Sequence, residues 1–151
     1  STCRSDIFRL HSQYQTYIRY LFSHLPSRVC LTSDIGHAVN GNDYLTITCH
    51  WIDDNTCMQK RIIAFKYDED QSHTAAFISS TIVEVVEFYN LNQKVLCMSF
   101  DNASNNNAAV SILKLHLQPP LDDIFHVRCA CHVYNLIVKT DLDLFSKDYS
   151  C

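Results

Sequence analysis

Between residues 6 and 25, Ile7, Leu10, Tyr14, Tyr17, Ile18, Leu21 and Phe22 recur at helical spacing, and Pro26 closes the run. The pattern predicts an amphipathic opening helix. Beyond it the period shortens towards two. "RVCLTSDIG", "DYLTITCHWID" and "CMQKRIIAFKY" are β-branched and aromatic runs, the last two joined by the polar turn Asp53-Asp54-Asn55, and they predict three strands with tight connections. From 73 to 90 the residues Ala76, Phe77, Ile78, Ile82, Val83, Val85, Val86 and Phe88 return to a helical period, which predicts a helix despite its β-branched content. Residues 95–100 read as a fourth strand and 102–117 as a second core helix whose first turn is rich in capping residues. A fifth strand follows the Pro119-Pro120 break at 124–129, and 131–145 finish as a helix.

The order helix, three strands, helix, strand, helix, strand, helix implies an α/β fold. A three-strand meander followed by alternating β and α units predicts a mixed five-stranded sheet with helices on both faces, in three layers α/β/α. Its later strands are reached by right-handed crossovers. The expected division is an N-terminal helical segment, 1–26, and one α/β domain, 27–151. The length of 151 residues, with 47% hydrophobic and 19% charged side chains, suits a single domain with a real core and argues against disorder. Two glycines and three prolines leave little room for flexible linkers.

Charge narrows the choice of partners. A net charge of −4 without any Lys/Arg block does not suit a domain that grips nucleic acid by bulk electrostatics, so contact with DNA must be local or assisted. The eight cysteines follow no signal-like segment and are read as reduced, intracellular thiols, with Cys30, Cys49 and Cys97 as small core residues. No apolar run approaches the roughly 20 residues needed to span a bilayer.

The stretch "VLCMSFDNASNNNAAVSILKLHL" breaks an apolar strand at a single acid, Asp101, and then enters four asparagines. If the first strand lies centrally with the fourth parallel beside it, Asp34, at the end of "CLTSD", and Asp101 end neighbouring strands about 4.8 Å apart. Two carboxylates at matching height can share a hard divalent cation, with Mg²⁺ the natural choice because it is held by one or two carboxylates and keeps water and phosphate oxygens. Capping is the competing reading for Asp101, and a side-chain-bonded turn for Asp34.

Other candidates weigh less. In "HVRCACH", His126, Cys129, Cys131 and His132 are all zinc-ligand types, but they lack two well-separated ligand pairs, and no zinc is predicted. Trp51 could stack on a flipped base, although core or rim packing is favoured, and His50 beside it reads as structural. The acidic "KYDEDQSH" reads as a solvated connection.

Four blocks, "LPSRVCLTSDI", "YLTITCHWIDDNTCMQKRIIAF", "VLCMSFDNASNNNAAVSIL" and "FHVRCACHVYNLIV", occur in the order and spacing of the RNase H-like catalytic core of hAT-superfamily transposases. The chain resembles in particular the plant-type members that carry a BED zinc finger, of the ricesleeper and daysleeper kind. The resemblance runs from about Leu25 to about Leu142. It implies an RNase H-like fold, DNA cleavage and strand transfer, bound Mg²⁺ or Mn²⁺, and a triad of two aspartates and a glutamate. Asp34 falls on the first aspartate, Asp101 on the second, and Cys129 and His132 on a CxxH motif near the active site that handles DNA.

Departures from the family pattern shape the expected function. Gly36 stands where the family commonly has tryptophan. The family's glutamate lies on a helix beyond a large helical insertion, and no third catalytic acid is found in this chain, since Asp141, Asp143 and Asp148 read as a solvated helix flank. No BED finger or C-terminal dimerisation region is present between Ser1 and Cys151. The expectation is therefore a partial transposase core, nuclear, acting on transposon-end DNA and oligomerising through regions absent here, and inactive alone. The alternative is a truncated or domesticated derivative acting as a non-catalytic DNA- or protein-binding module. An RNase H-type nuclease is the weaker reading, with Glu84 and Glu87 as its possible additional acids.

Overall fold

The computed structural model of the chain describes residues 2–69 and 73–148, with side chains up to residue 142. Helix α1 (Cys3–His24) leads into the meander β1 (Val29–His37), β2 (Asp43–Ile52) and β3 (Met58–Asp68). Helix α2 (Ala75–Phe88), strand β4 (Val95–Phe100) and helix α3 (Ser104–Leu117) follow. A 3₁₀ turn at Asp122–Ile124, the short strand β5 (His126–Arg128) and helix α4 (Ala130–Asp148) complete the fold. The sheet order is β3-β2-β1-β4-β5, antiparallel through the meander and parallel from β1 to β4 and β4 to β5. This is the mixed five-stranded sheet that the apolar pattern predicts.

Differences from the predicted boundaries have local causes. Helix α2 starts after His73, which sits in the left-handed region at φ 45°, and Thr74 caps it by accepting the Phe77 N–H at 3.2 Å. It ends before Asn90, at φ 56°. The acidic connection after β3 is not simply solvated, because Asp68 is buried at the end of the strand; Asp70, of the same stretch, lies outside the described residues. The fifth strand is shorter than expected because the chain before it coils into the 3₁₀ turn.

The core lies on one face of the sheet. Val29 and Leu31 of β1, Leu45, Ile47, Cys49 and Trp51 of β2, and Val95, Met98 and Phe100 of β4 pack with Ile18 and Phe22 of α1. Ile78, Ile82 and Val86 of α2 and Ala109, Val110 and Leu113 of α3 join the same cluster. Trp51 meets Phe22 edge-on at 5.4 Å between ring centres, so it is a core residue as the sequence favours. Helix α1 is tied to the sheet by Lys94, whose Nζ donates to the carbonyls of Phe22 (2.7 Å) and Leu25 (2.8 Å) at its C-terminal end.

The opposite face carries Cys30, Thr32 and Asp34 of β1, Tyr44, Thr46, Thr48 and His50 of β2, and Cys97 and Ser99 of β4, all half-buried or exposed. Cys30 and Cys97 pair across the β1–β4 seam on this face, so of the three strand cysteines only Cys49 is a core residue. Helix α4 begins over this face but leaves Val133, Tyr134, Leu136, Ile137, Val138 and Leu142 exposed.

Candidate functional site

Thr32 pairs with Ser99 on the parallel β1–β4 seam. Two residues further along each strand stand Asp34 and Asp101, level with each other, and both line two adjoining cavities of about 190 and 410 Å³. The smaller cavity adds His73, Asn105 and Asn106; the larger adds Thr46, Thr48, Cys129, Cys131, His132 and Asn135. The structure therefore gathers both predicted acids and the Cys129–His132 pair around one cleft.

The two acids differ in their partners. Asp34 is exposed and its carboxylate makes no hydrogen bond or ion pair among the described residues. Asp101 accepts the Ala103 N–H at 2.9 Å and the Asn106 side-chain amide, both on Oδ1. Oδ2 has no partner among the described residues. Asp101 does not cap α3, whose N-cap is Ala103 with no side-chain cap bond; one oxygen instead closes a turn onto the Ala103 N–H, and the other is free for a ligand. Ser33, which lines both cavities, has its Oγ buried without a hydrogen-bond partner among the described residues, a polar atom whose desolvation is uncompensated there.

These donors fit one hard divalent ion that keeps most of its coordination as water and substrate oxygens. They do not form a closed cage: among the described residues no group of three or more His, Cys, Asp or Glu is arranged to hold a metal. Glu84 and Glu87 line neither cavity with Asp34 and Asp101, and Glu84 pairs with Lys66 at 3.3 Å, which separates the additional acids of the nuclease reading from this cleft. Asp141 is exposed on α4, while the side chains of Asp143 and Asp148 lie outside the described residues.

The members of "HVRCACH" divide by position. His126 packs edge-on against Phe100, with Nε2 buried and unpartnered, and burial is the first cause lowering its pKa, followed by Arg128 and Lys114. Cys129 donates its backbone N–H to Phe100 O at 2.8 Å, which fixes the start of α4 beside the end of β4. His50 is half-buried and meets Thr32 Oγ1 at 3.2 Å; burial, then Lys60, lowers its pKa. A side chain at Gly36 would meet nothing within 4 Å, so the missing aromatic there leaves space rather than altered packing.

Sequence reasoning missed a second cluster. Asp43 and Asp68 are buried and directly opposite on the β2–β3 seam. His37 Nδ1 and His73 Nε2 both bond to Asp43, the latter at 2.6 Å, and because a carboxylate only accepts, each ring nitrogen carries the proton. The hydrogen bond from His37 is the first cause lowering the Asp43 pKa, opposed by burial and aided by His73. Asp68 accepts the His73 N–H at 3.1 Å. The signal was available: Asp43 shares the alternation of Leu45, Ile47, Cys49 and Trp51, which places it on the core face.

Comparisons with known proteins agree with this geometry. Residues 32–123 match the ZBED1 RNase-like domain. Two maize proteins described as putative AC and AC9 transposases are each 34% identical over 147 residues, 93% of this chain but only 18% and 17% of theirs. A putative transcriptional regulator of Talaromyces stipitatus is 25% identical over 97 residues, 62% of this chain and 11% of its own. The chain thus spans less than a fifth of the length of these relatives. With Asp34 inside β1, which runs on to His37 beside β2, and Asp101 just past the end of β4, both on the central parallel pair of this sheet, the chain belongs to the ZBED1 RNase-like domain family and is a relative of Ac-type hAT transposases.

Proposed function

We propose that this chain is the part of a plant-type hAT transposase core that supplies two of its metal-binding carboxylates, Asp34 and Asp101, for work on DNA phosphodiesters. The observation that carries the reading is the level placement of the two acids, each with free carboxylate oxygen, on one cleft. Bound Mg²⁺ or Mn²⁺ would supply Lewis-acid stabilisation of an in-line displacement at phosphorus. Asp34 and Asp101 hold that ion, and the Ala103 N–H and Asn106 amide keep Asp101 in one orientation, which lowers the entropy lost on binding. Cys129 and His132, which line the larger cavity at the start of α4, position the DNA strand. The setting is nuclear, and the partners are transposon-end DNA and further copies of the full-length protein.

With two carboxylates only, the chain alone holds its ion weakly and does not cleave. Relatedness to a putative transcriptional regulator favours, as a second reading, a domesticated module that binds DNA or protein without cutting. A Mn²⁺ titration followed by NMR line broadening tests the metal site. Broadening centred on Asp34 of β1 and on Asp101 after β4, and weakened by either Asp34→Asn or Asp101→Asn, is expected; no localised broadening would sink the metal platform. Mg²⁺-dependent nicking of duplex DNA by this chain, lost in Asp101→Asn, would overturn the expectation that it is inactive alone.

A further inference from the structure

The open face of the sheet holds an aromatic cluster beside the first acid. Tyr44 of β2 stacks on Phe65 of β3, with ring centres 4.7 Å apart and planes 13° from parallel, and Tyr67 lies 5.5 Å from Tyr44. Phe65 is 65% and Tyr67 44% exposed, so each offers ring surface to solvent. The Asn40 and then the Asn42 side-chain amides lower the Tyr44 pKa by favouring its charged form. The register connects the cluster to the cleft: Asp34 pairs with Thr46, and Thr46 with Phe65, so the three form one row across neighbouring strands. At about 4.8 Å per strand, Phe65 stands roughly 10 Å from Asp34 on the same face. The next row runs Gly36, Tyr44, Tyr67, and a Cβ at Gly36 would meet nothing within 4 Å.

We propose that Tyr44, Phe65 and Tyr67 form a stacking platform for the unpaired bases of a DNA strand whose phosphodiester lies at Asp34 and Asp101. The identification rests on the reading of that cleft as a DNA site. Three features favour nucleobases as the occupant. The rings are held in a row that leads into the cleft, and each base has a π-face to lay on them regardless of sequence. Between the rings and Asp34 stand only hydroxyls and a glycine: Thr46, Thr48, Gly36. Lys60, paired with His50 on the same face, supplies a cation for the backbone, and no carboxylate lies on the β2 and β3 positions of this face. A strand would thus be anchored by stacking rather than by bulk charge, which suits a chain of net charge −4.

The test uses the whole chain and a short single-stranded DNA carrying 2-aminopurine, with EDTA present so that the metal site plays no part. Binding with quenched 2-aminopurine fluorescence is expected. Phe65→Leu, which keeps apolar bulk and removes the ring, should weaken binding about tenfold, whereas Phe65→Trp should retain or tighten it. Glu87→Gln, at an exposed position on α2 away from this face, should leave the quench unchanged. Thermal unfolding of each variant separates a lost ring from a lost fold. Absence of quenching in the wild-type chain, or equal affinity for Phe65→Leu and wild type, would overturn the platform and leave this face to a protein partner. Because the Mn²⁺ titration reads the acids alone, a failed metal site with intact stacking, or the reverse, tells the two proposals apart.

Discussion

Asp43 and Asp68 stand opposite each other on the antiparallel β2–β3 seam, and Asp34 and Asp101 stand level on the parallel β1–β4 seam. Like charges placed directly across a sheet repel, and burial should make the first pair the worse of the two. The structure resolves this by giving Asp43 two imidazoles and Asp68 a backbone N–H, while among the described residues Asp34 has no partner and Asp101 keeps one oxygen free. A buried acid with its partners supplied by the protein is finished; an exposed acid on a cleft without them still has coordination to offer. The first pair also serves the second. Asp68 holds His73 where its φ of 45° begins the turn into α2, and the His73 carbonyl accepts from Asn105 of α3 at 2.9 Å. The start of both helices is thereby fixed beside the cleft that His73, Asn105 and Asn106 line with Asp34 and Asp101.

The sharpest way to break this contrast is to remove the buried acid. Asp68→Ala leaves the His73 N–H without its acceptor and is expected to destabilise the fold by about 2–3 kcal/mol, read from the urea midpoint at unchanged slope. A loss below about 0.5 kcal/mol would mean that the β3–α2 turn is held by something else, and the claim that one pair positions the other would fail.

Acid titration addresses the same pair from another side. The Asp43 pKa is lowered from 3.8, first by the His37 hydrogen bond, so its contribution is fully present above the unfolded value and is lost as pH falls below 3.8 through the folded one. Urea midpoints across pH 2–6 should therefore fall more steeply for the wild-type chain than for Asp43→Asn, with the divergence at the acid end. Parallel curves would show that Asp43 is not held in its charged form by the two imidazoles.

How much of this was legible beforehand follows from the range of the signals. Alternation and helical period carry the meander, both core helices and the end of β4 before Asp101, because each is a local pattern; β1 runs three residues past Asp34, where the sequence placed its end. The partners of Asp43 were out of reach for a different reason: they depend on the β2–β3 register, which shifts by one residue at Ile47/Thr48, and on a left-handed His73 that no periodicity announces. Trp51 drew attention as the aromatic for stacking because tryptophan is conspicuous, yet its alternation with Ile47 and Cys49 puts it in the core. Tyr44 and Phe65, on the other parity, are the ones that reach the open face.

The smallest expected effects lie within the exposed pair, and they separate its two members. Asp101→Asn weakens a charge-assisted bond from the Ala103 N–H and should cost about 1 kcal/mol, whereas Asp34→Asn, with no partner to lose, should stay within about 0.5 kcal/mol of wild type. Relief of repulsion between the level carboxylates acts in the other direction in both variants, so the difference between them isolates the turn bond from Ala103. Chemical denaturation without divalent metal checks this. An equal cost for both would mean that Asp34 has a partner in solution and that the contrast between a finished and an unfinished acid does not hold; adding Mn²⁺ should then stabilise wild type over either variant only if both carboxylates bind it.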